Sequence, residues 1–459
     1  MPAPEDLRLR ISMTSTWVKH FLKLDCARLP PSVSSSLDHP GILCLRMSHA
    51  ARVSKPLMRI PFTGPLPPPL IIPPSAATKE GAVSALTHFL TAPAGSAAAL
   101  PEHAQQAKTK TVLLTGAGIS VASGLADYRG VNGTYTQNKS YRPIYYHEFI
   151  SSHESRKRYW ARSFLGWRGL HRSKPNAAHF AIRDLGTLGL VDKVVTQNVD
   201  SFHGLAHPHL KTVELHGFLR ALVCLSCRTL MDRDVFQQRL AELNPAWAEF
   251  LQQLLASGAL DTENPVERRR LGFRTNPDGD ADVPGAPYYT FRYPACPHCL
   301  RRPPILKDGS KGHVDVDADG AWTPSPPASA PSDGVGILKP NVIMFGESIP
   351  ADVKTAAEEA IDSAAKILVV GSSLATYSAW RLVKRAHERG MGIGVLNMGG
   401  VRKEEVFFGE LLSDRHHGPG GGYGHNRWAA LQRELVRASL PAEEILPQVV
   451  EAIRTSSSG

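Results

Sequence analysis

Short apolar runs that end in small polar residues recur along the chain. Four of them have the length of buried strands: residues 110–115, 191–196, 366–370 and 392–396. In open parallel sheets, ligands bind beside the carboxyl ends of the strands. The pattern therefore predicts an α/β fold, with a doubly wound parallel sheet and one ligand crevice.

The stretches before the first predicted strand differ in composition from the rest. Residues 1–60 are basic, with nine Lys/Arg and four Asp/Glu, and residues 44–59 contain no acid. This resembles an organelle transit peptide; a disordered tail and a later start at Met47 or Met58 stay open as alternatives. Residues 61–107 are a proline-rich lead-in with a short amphipathic helix at 82–90.

The main domain is expected over residues 108–455. Within it, residues from about 218 to 336 are irregular and are expected to form a small inserted module. Two stretches are expected as surface insertions: residues 303–331, rich in Gly, Pro, Asp and Ser, and residues 416–426, rich in glycine and histidine.

Composition narrows the class of protein. The chain has 459 residues, 42% of them apolar, and a formal net charge of +10. Nucleic-acid binding is one interpretation of that charge, but no dense Lys/Arg run occurs, so a basic leading segment with scattered surface arginines is favoured. No run of 18 apolar residues exists, so no membrane span is predicted.

The cysteines predict a structural metal site. Four of the six lie in two C-x-x-C pairs, Cys224 with Cys227 and Cys296 with Cys299. Two such pairs close a four-sulfur zinc site with no open position, so the metal is not expected to be the catalyst. Redox chemistry is the alternative for a single C-x-x-C. His298 is interpreted as a spacer in the second pair.

A glycine turn follows the first predicted strand. Gly116-x-Gly118 is expected to present backbone N–H groups to an anion at a helix N-terminus. The usual dinucleotide fingerprint requires a third small residue where Val121 stands, so an ordinary dehydrogenase is disfavoured. Asp127 and Arg129 in the following loop either close over a nucleotide or form a plain surface pair.

Two histidines compete for a catalytic role. His203 and His216 each precede a glycine, and histidine is the usual general base near neutral pH. Either could be purely structural. His216 follows an apolar run and stands eight residues before the first C-x-x-C. It is therefore expected where the sheet meets the small module.

Taken together, the motifs resemble one family. GAGIS, GLADYRG, TQNVD, ELHG, both C-x-x-C pairs, LKPNVIMFGE, GSS and NMG occur in this order. Over about residues 80–455 the chain resembles the sirtuins, NAD-dependent protein-lysine deacylases. Residues 159–167, the sequence GESIP and the proline-rich lead-in look most like the mitochondrial class II branch. The resemblance implies the mitochondrial matrix, with nucleus or cytoplasm as alternatives.

The resemblance also implies a fold and a set of site residues. The fold would be a Rossmann-like large domain with a zinc-binding small domain, and NAD and an acyl-lysine protein substrate would meet in the cleft. Catalytic roles would fall to His216 as the base, with Asn198 and Asp200. NAD contacts would come from Gly116, Ala117, Gly118, Ile119, Asp127, Tyr128, Arg129, Gln197, Asn198, Asp200, Gly371, Ser372, Ser373, Asn397, Met398 and Gly399. The zinc ligands would be the four paired cysteines, and the substrate contacts Phe345, Gly346, Glu347, Tyr159 and Arg162.

The implied reaction releases nicotinamide, O-acyl-ADP-ribose and free lysine. Tyr159-x-x-Arg162 has the spacing of a pair that grips acidic acyl groups in a related desuccinylase branch, because arginine binds a carboxylate in a bidentate fork. The alternative is an ordinary charge on a helix face. Acidic or branched acyl groups are expected. Mono-ADP-ribosyl transfer from the same NAD pocket is the second function considered, and a non-enzymatic zinc module on chromatin is the third. Ala126 and Tyr128 depart from the family's usual loop sequence.

Overall fold

Six parallel strands form the central sheet of this computed structural model. The residues that the structure describes are 63–93, 110–139, 141–256, 274–283, 285–325, 334–413 and 434–457. The strand order is β11-β10-β9-β1-β2-β3. The strands are β1 (Thr111–Thr115), β2 (Val191–Thr196), β3 (Lys211–Glu214), β9 (Lys366–Val370), β10 (Gly392–Leu396) and β11 (Leu435–Ala438).

Helices cover both faces of this sheet. Every residue of β1, β9 and β10 is buried, as continuous apolar strands require in a doubly wound fold. The helices against the first face are α1 (Lys79–Thr91), α5 (Ala177–Thr187) and α13 (Ala442–Ser457); those against the second are α10 (Ala351–Asp362), α11 (Tyr377–Glu388) and α12 (Glu405–Ser413).

The chain reverses direction along the sheet between β1 and β9. From β1 it proceeds to β2 and β3 on one side, and the later strands β9 to β11 lie on the other. Because the connections leave in opposite directions, a crevice opens outside the carboxyl ends of β1 and β9. The topology thus places a ligand site at Gly116 and Gly371.

A second, antiparallel sheet lies between β3 and β9 in the sequence. It has the order β5-β4-β8, with β4 (Gly217–Cys224), β5 (Leu230–Asp232) and β8 (Leu338–Val342). Its third strand thus lies beyond residue 336. The small module also contains α7 (Arg233–Leu243), α8 (Pro245–Ala256), α9 (Pro297–Arg301) and a hairpin of β6 (Arg274–Thr275) and β7 (Ala281–Asp282).

The remaining helices connect these layers. They are α2 (Thr134–Gln137), α3 (Tyr146–Ser151), the long α4 (His153–Arg172) and α6 (Phe202–Ala206), with 3₁₀ helices at Pro74–Ala77, Ala117–Ser123 and Tyr288–Thr290. No helix in the described part of the chain is long and apolar enough to cross a membrane.

The predicted doubly wound parallel sheet is confirmed, with all four predicted strands in it. The helix expected after the glycine turn is present, as a 3₁₀ helix over Ala117–Ser123. The leading segment 1–60 and the insertion 416–426 lie outside the described residues.

Candidate active site

A single continuous groove runs across the carboxyl ends of β1, β2, β9 and β10. Its volume of about 1040 Å³ is at the upper end of the range for ligand sites. The small module contributes the opposite wall through residues 342–347 and through Pro277, Asp278 and Asp280. The groove is thus large enough for a dinucleotide and part of a second substrate.

Glycines at the base of the groove allow the loops after β1 and β9 to approach closely. A Cβ on Gly118 would lie 2.8 Å from the carbonyl oxygen of Gly371, and a Cβ on Gly116 would lie 2.8 Å from Cβ of Ser372. Real Cβ atoms do not approach other atoms so closely, so larger residues would separate β1 from β9. The glycines therefore serve the close backbone approach.

The backbone N–H groups of Gly116, Gly118 and Ile119 are hydrogen-bonded within the fold. Gly116 N–H donates to Val370 O at 3.1 Å, Gly118 N–H to Gly371 O at 2.8 Å, and Ile119 N–H to Gly116 O at 3.1 Å. These donors are already satisfied. Ile119 is fully buried in the core and does not line the groove, whereas Gly116, Ala117 and Gly118 do. Ile119 is therefore placed too deep for a side-chain contact with NAD.

A polar network crosses the carboxyl ends of β1 and β2. Ser120 Oγ donates to Asp200 Oδ2 at 2.7 Å, and Asn198 Nδ2 donates to Ser120 Oγ at 3.1 Å. The backbone N–H of Phe202 donates to Asp200 Oδ1 at 3.0 Å. Burial raises the pKa of Asp200, and these donors oppose that rise. The network fixes a carboxylate and an amide at the groove wall, where they can bind hydroxyl groups.

Gln197 links this network to β9. Its Nε2 donates to Ser372 Oγ at 2.7 Å and to Thr115 O at 3.1 Å, and its Oε1 accepts from Thr376 Oγ1 at 3.1 Å. The amide therefore holds the ends of β1, β2 and β9 in one arrangement.

Asp127 organises the loop above the glycines. The backbone N–H of Gly130 donates to both of its carboxylate oxygens, at 3.1 and 3.0 Å. Tyr128 stacks on Tyr135 with ring centroids 5.6 Å apart, and the Arg129 guanidinium lies 5.1 Å from the Tyr135 ring. Asp127, Tyr128 and Arg129 all line the groove. Asp127 here closes the turn of its own loop.

His216 lies between the sheet and the small module. Its Nδ1 is 3.0 Å from Gln197 O, and its Nε2 is 2.9 Å from Ser378 Oγ. A carbonyl oxygen can only accept, so Nδ1 carries the proton and the unprotonated Nε2 accepts from the Ser378 hydroxyl. Burial lowers the pKa of His216 to about 4. The imidazole is therefore neutral at pH 7 and ready to accept a proton at Nε2.

His203 lies beneath the groove and does not line it. Only 1% of the residue is exposed, its Nε2 is 2.8 Å from Thr115 Oγ1, and its Nδ1 is 2.9 Å from Nε2 of His207. Burial lowers its pKa well below the usual range. Of the two histidines, His216, which the resemblance implied as the base, lines the groove, and His203 does not.

The segment after β8 forms one wall of the groove through Phe345, Gly346 and Glu347. Glu347 Oε2 accepts from Lys339 Nζ at 3.0 Å and from the backbone N–H of Met344 at 2.9 Å. Phe345 O accepts from the backbone N–H of Tyr146 at 2.9 Å. Glu347 thus shapes the wall through a buried ion pair.

Tyr159 and Arg162 line the groove from α4 and are 8% and 5% exposed. The Arg162 guanidinium lies 2.6 Å from Asp280 Oδ2, and its side chain and that of Asp280 are 6% and 8% exposed. Burial and the neighbouring Asp280 raise the pKa of Asp278 to about 8. Arg162 is therefore an inward-facing residue with a carboxylate already beside it, which excludes the ordinary exposed helix-face charge.

The loops after β9 and β10 form the far end of the groove. Ser372, Ser373, Met398 and Gly399 line it, and Asn397, which is 7% exposed, donates through Nδ2 to Met398 O at 3.0 Å. This end lies on the β10 side of the sheet.

The four paired cysteines come together in the small module. Cys224 and Cys299 have Sγ atoms 3.6 Å apart, those of Cys227 and Cys296 are 3.8 Å apart, and all four lie within 4.8 Å of one another. A regular tetrahedron with Zn–S bonds of about 2.3 Å has sulfur atoms about 3.8 Å apart. The residues fit one four-sulfur zinc ion, as predicted.

Several residues of the groove carried no sequence signal. Ser378 follows GSS by five residues, and the acidic pair Asp278 and Asp280 is part of a stretch that reads only as a turn. A further unpredicted part of the wall is formed by residues 63–66, which lie in the proline-rich lead-in. Ser120 belongs to GAGIS, but its hydrogen bond to Asp200 forms only because the segments after β1 and β2 lie side by side in the fold.

Comparisons with known proteins identify the family of the chain. The Sir2 family model matches residues 116–378. The chain is 38% identical over 316 residues to the NAD-dependent protein deacylase SIR4 of Batrachochytrium dendrobatidis, covering 68% of this chain and 88% of that protein. It is 33% identical over 299 residues to the NAD-dependent protein deacylase SRT2 of Arabidopsis thaliana, covering 65% and 68%. A solved Sir2 homolog–NAD complex aligns at 21% identity and a TM-score of 0.42, over 76% of this chain and 92% of that one. Because the family model matches more than half of the sequence, the chain belongs to the Sir2 family.

Proposed function

We propose that this protein is an NAD-dependent protein-lysine deacylase that produces nicotinamide, O-acyl-ADP-ribose and free lysine. The observation that carries the proposal is His216, a neutral histidine with a fixed tautomer in the groove between the sheet and the small module. Its two relatives reported above are both named as NAD-dependent protein deacylases. Mono-ADP-ribosyl transfer is not favoured by these names.

The groove residues suit NAD. When bound, NAD supplies a cationic leaving group and a ribose carbon that accepts the acyl oxygen. Asp200 and Asn198 offer a carboxylate and an amide oxygen to hydroxyl groups, and Ser372 and Ser373 offer hydroxyls at the β9 end. The N–H groups of Gly116, Gly118 and Ile119 are hydrogen-bonded within the fold, so other donors are needed to bind phosphate. Ala117 N–H and the Arg129 guanidinium are candidates, since both residues line the groove.

His216 has the properties of a general base. Its Nδ1–H bond to Gln197 O keeps the ring in one orientation, and its Nε2 has the electron pair that takes a proton from a substrate hydroxyl. Ser378, 2.9 Å from Nε2, holds the ring on the other side. Since the pKa is about 4, the base is fully neutral at physiological pH and the activity should not fall until the pH approaches that value.

The acyl preference rests on the inner wall of the groove. Tyr159, Tyr141, Arg162 and the two acids Asp278 and Asp280 make this wall polar and nearly neutral. Such a wall suits branched acyl chains with polar ends, including acidic ones, better than plain acetyl. An acyl carboxylate competes with Asp280 for Arg162, and a protonated Asp278 lessens the repulsion. Activity on acidic acyl groups relative to acetyl should therefore rise as the pH falls from 9 to 7.

The test is an NAD-consumption assay on a panel of acyl-lysine peptides, with products identified by mass spectrometry. O-Acyl-ADP-ribose is expected, and His216→Ala should abolish it, whereas His209→Ala, at an exposed position, serves as the matched control. ADP-ribosylated protein in place of O-acyl-ADP-ribose would overturn the proposal.

The panel also tests the acyl preference. Arg162→Leu should reduce activity on acidic acyl peptides more than on acetyl peptides, and Arg158→Leu, an exposed position on the same helix, should change neither. An unchanged ratio of acidic to acetyl activity in Arg162→Leu would contradict the role of this arginine.

We further propose that the protein belongs to the mitochondrial class II branch and acts in the mitochondrial matrix. The support is the sequence of residues 159–167 and the basic composition of residues 1–60. Imaging of a fluorescent fusion, with and without residues 1–60, tests this. Nuclear or cytoplasmic signal from the full chain would contradict it.

A further inference from the structure

Residues 63–72, here called the strap, cross the far end of the groove, beyond β10. We propose that the strap is part of the nucleotide site and that its residues 63–66 contact the adenosine half of NAD. This inference rests on the proposed function, because it needs NAD as the occupant of the groove.

The strap is anchored to the edge strand of the sheet. Ile72 N–H donates to Arg437 O at 2.9 Å, and Arg437 N–H donates back to Ile72 O at 2.7 Å. Two residues earlier, Leu70 N–H donates to the carboxylate of Glu404 at 3.1 Å. Ile72 is 5% exposed. These contacts fix the strap in one register on β11.

The same anchor holds the loop after β10. The Arg437 side chain is fully buried, and its guanidinium donates to Glu404 at 2.7 Å, to Asn397 O at 2.9 Å and to Gly399 O at 2.6 Å. One arginine therefore connects the strap to two carbonyl groups of the loop at the far end of the groove. With a fourth bond to Ala438 O, these contacts hold the buried guanidinium from several sides.

Strap and loop also touch directly. A Cβ on Gly400 would lie 2.1 Å from Pro67 O and 2.8 Å from Leu66 Cβ. Since the backbone of Gly400 has no left-handed φ, the glycine is required by the closeness of the strap alone. Any larger side chain must push the strap away from the groove.

The surface formed there has the chemistry of a site for a nucleoside. Residues 63–66 line the groove together with Met398, Leu440 and Pro441. Most of this surface is apolar, and the Thr63 hydroxyl adds a polar group. Ligand sites commonly combine apolar walls with a few polar groups, and a flat purine ring fits between them. His216 lies at the other end, so the strap should affect the nucleotide and not the acyl-lysine.

The test measures ADP-ribose affinity by calorimetry in the full chain. Gly400→Ala displaces the strap and Leu66→Ala removes one of its contacts, and each should weaken ADP-ribose binding about five- to tenfold. Gly409→Ala, where a Cβ meets nothing within 4 Å, and Pro68→Ala, exposed and away from the groove, are the matched controls and should bind as the unaltered protein does. The KM for the acyl peptide should stay unchanged in all four variants.

The outcomes separate this inference from the proposed function. If the unaltered protein does not bind ADP-ribose, the proposed function itself fails. If it binds and Leu66→Ala and Gly400→Ala bind equally well, the strap is no part of the site. Melting curves without nucleotide show whether Gly400→Ala is folded; Leu66→Ala, at a half-buried position, tests the contact independently.

Discussion

Loss of one cysteine of the zinc cluster should loosen the substrate side of the groove and spare the nucleotide side. The relevant change is Cys299→Ser, which removes one of four sulfurs whose spacings of 3.6 and 3.8 Å match the tetrahedral value. Structural zinc contributes roughly 10–16 kcal/mol in small zinc-binding peptides, as much as the total stability of an ordinary domain. A module that loses its metal is therefore expected to open locally.

The structure indicates what the metal holds together. Cys224 ends β4, and the backbone N–H of Leu225 donates to Ile337 O at 2.9 Å, just before β8. The backbone N–H of Cys296 donates to Gly336 O at 2.8 Å. Since β8 leads directly into the wall at Phe345, loss of the metal should disorder this wall. The parallel pair β1 and β9 belongs to the other sheet, and none of the four cysteines lies on its strands.

Two measurements check this prediction. Zinc analysis should find one ion per chain in the unaltered protein and far less in Cys299→Ser, and the KM for acyl peptides should rise about tenfold or more, equivalent to at least about 1.4 kcal/mol. ADP-ribose affinity should change less than about twofold. His298→Ala, in the same C-x-x-C pair, should keep its zinc, because His298 is no part of the cluster. Unchanged peptide KM in a zinc-free variant would refute the reasoning.

Three further changes have defined outcomes. The pKa of Asp278 is raised to about 8 in the fold, so the folded state keeps a proton that the unfolded chain loses near pH 4. The unfolding free energy should therefore fall as the pH rises from 4 through 8. Asp278→Asn should flatten that slope, as measured by urea titrations at pH 6 and 9. Lys339→Met leaves the Glu347 carboxylate without its buried cation and should lower the free energy of unfolding in denaturant by roughly 3–5 kcal/mol. The double variant Lys339→Met/Glu347→Gln should recover part of this stability. Failure to recover any of it would argue against the ion pair. Arg437→Leu breaks a fully buried ion pair and should lower the free energy of unfolding by about 3–5 kcal/mol. A melting temperature unchanged from that of the unaltered protein would contradict this.

Local patterns determined the scaffold. Apolar runs of five or six residues are long enough to fix buried strands, and the two C-x-x-C pairs specify sulfur ligands whatever lies between them. Gly116, Gly118 and Gly371 lie where the loops after β1 and β9 approach each other at the base of the groove, and only residues without Cβ fit there. The family was identified from the order of these motifs, while the class II branch and the acyl group stay predictions.

Only the tertiary structure decided how the groove is equipped. The sequence favoured His216 over His203 by its position and by the resemblance, and the structure shows that the His216 ring lines the groove whereas His203 lies beneath it. The pairing of Arg162 with Asp280 joins residues 118 positions apart, and the strap contacts Gly400 across more than 330 residues. These contacts form because the sheet, the module and the lead-in pack together, which brings residues that are far apart in the sequence close together in space. The sequence shows which side chains are present. Their pKa values, and so their charges, depend on burial and on neighbouring groups, which are defined only in the folded chain.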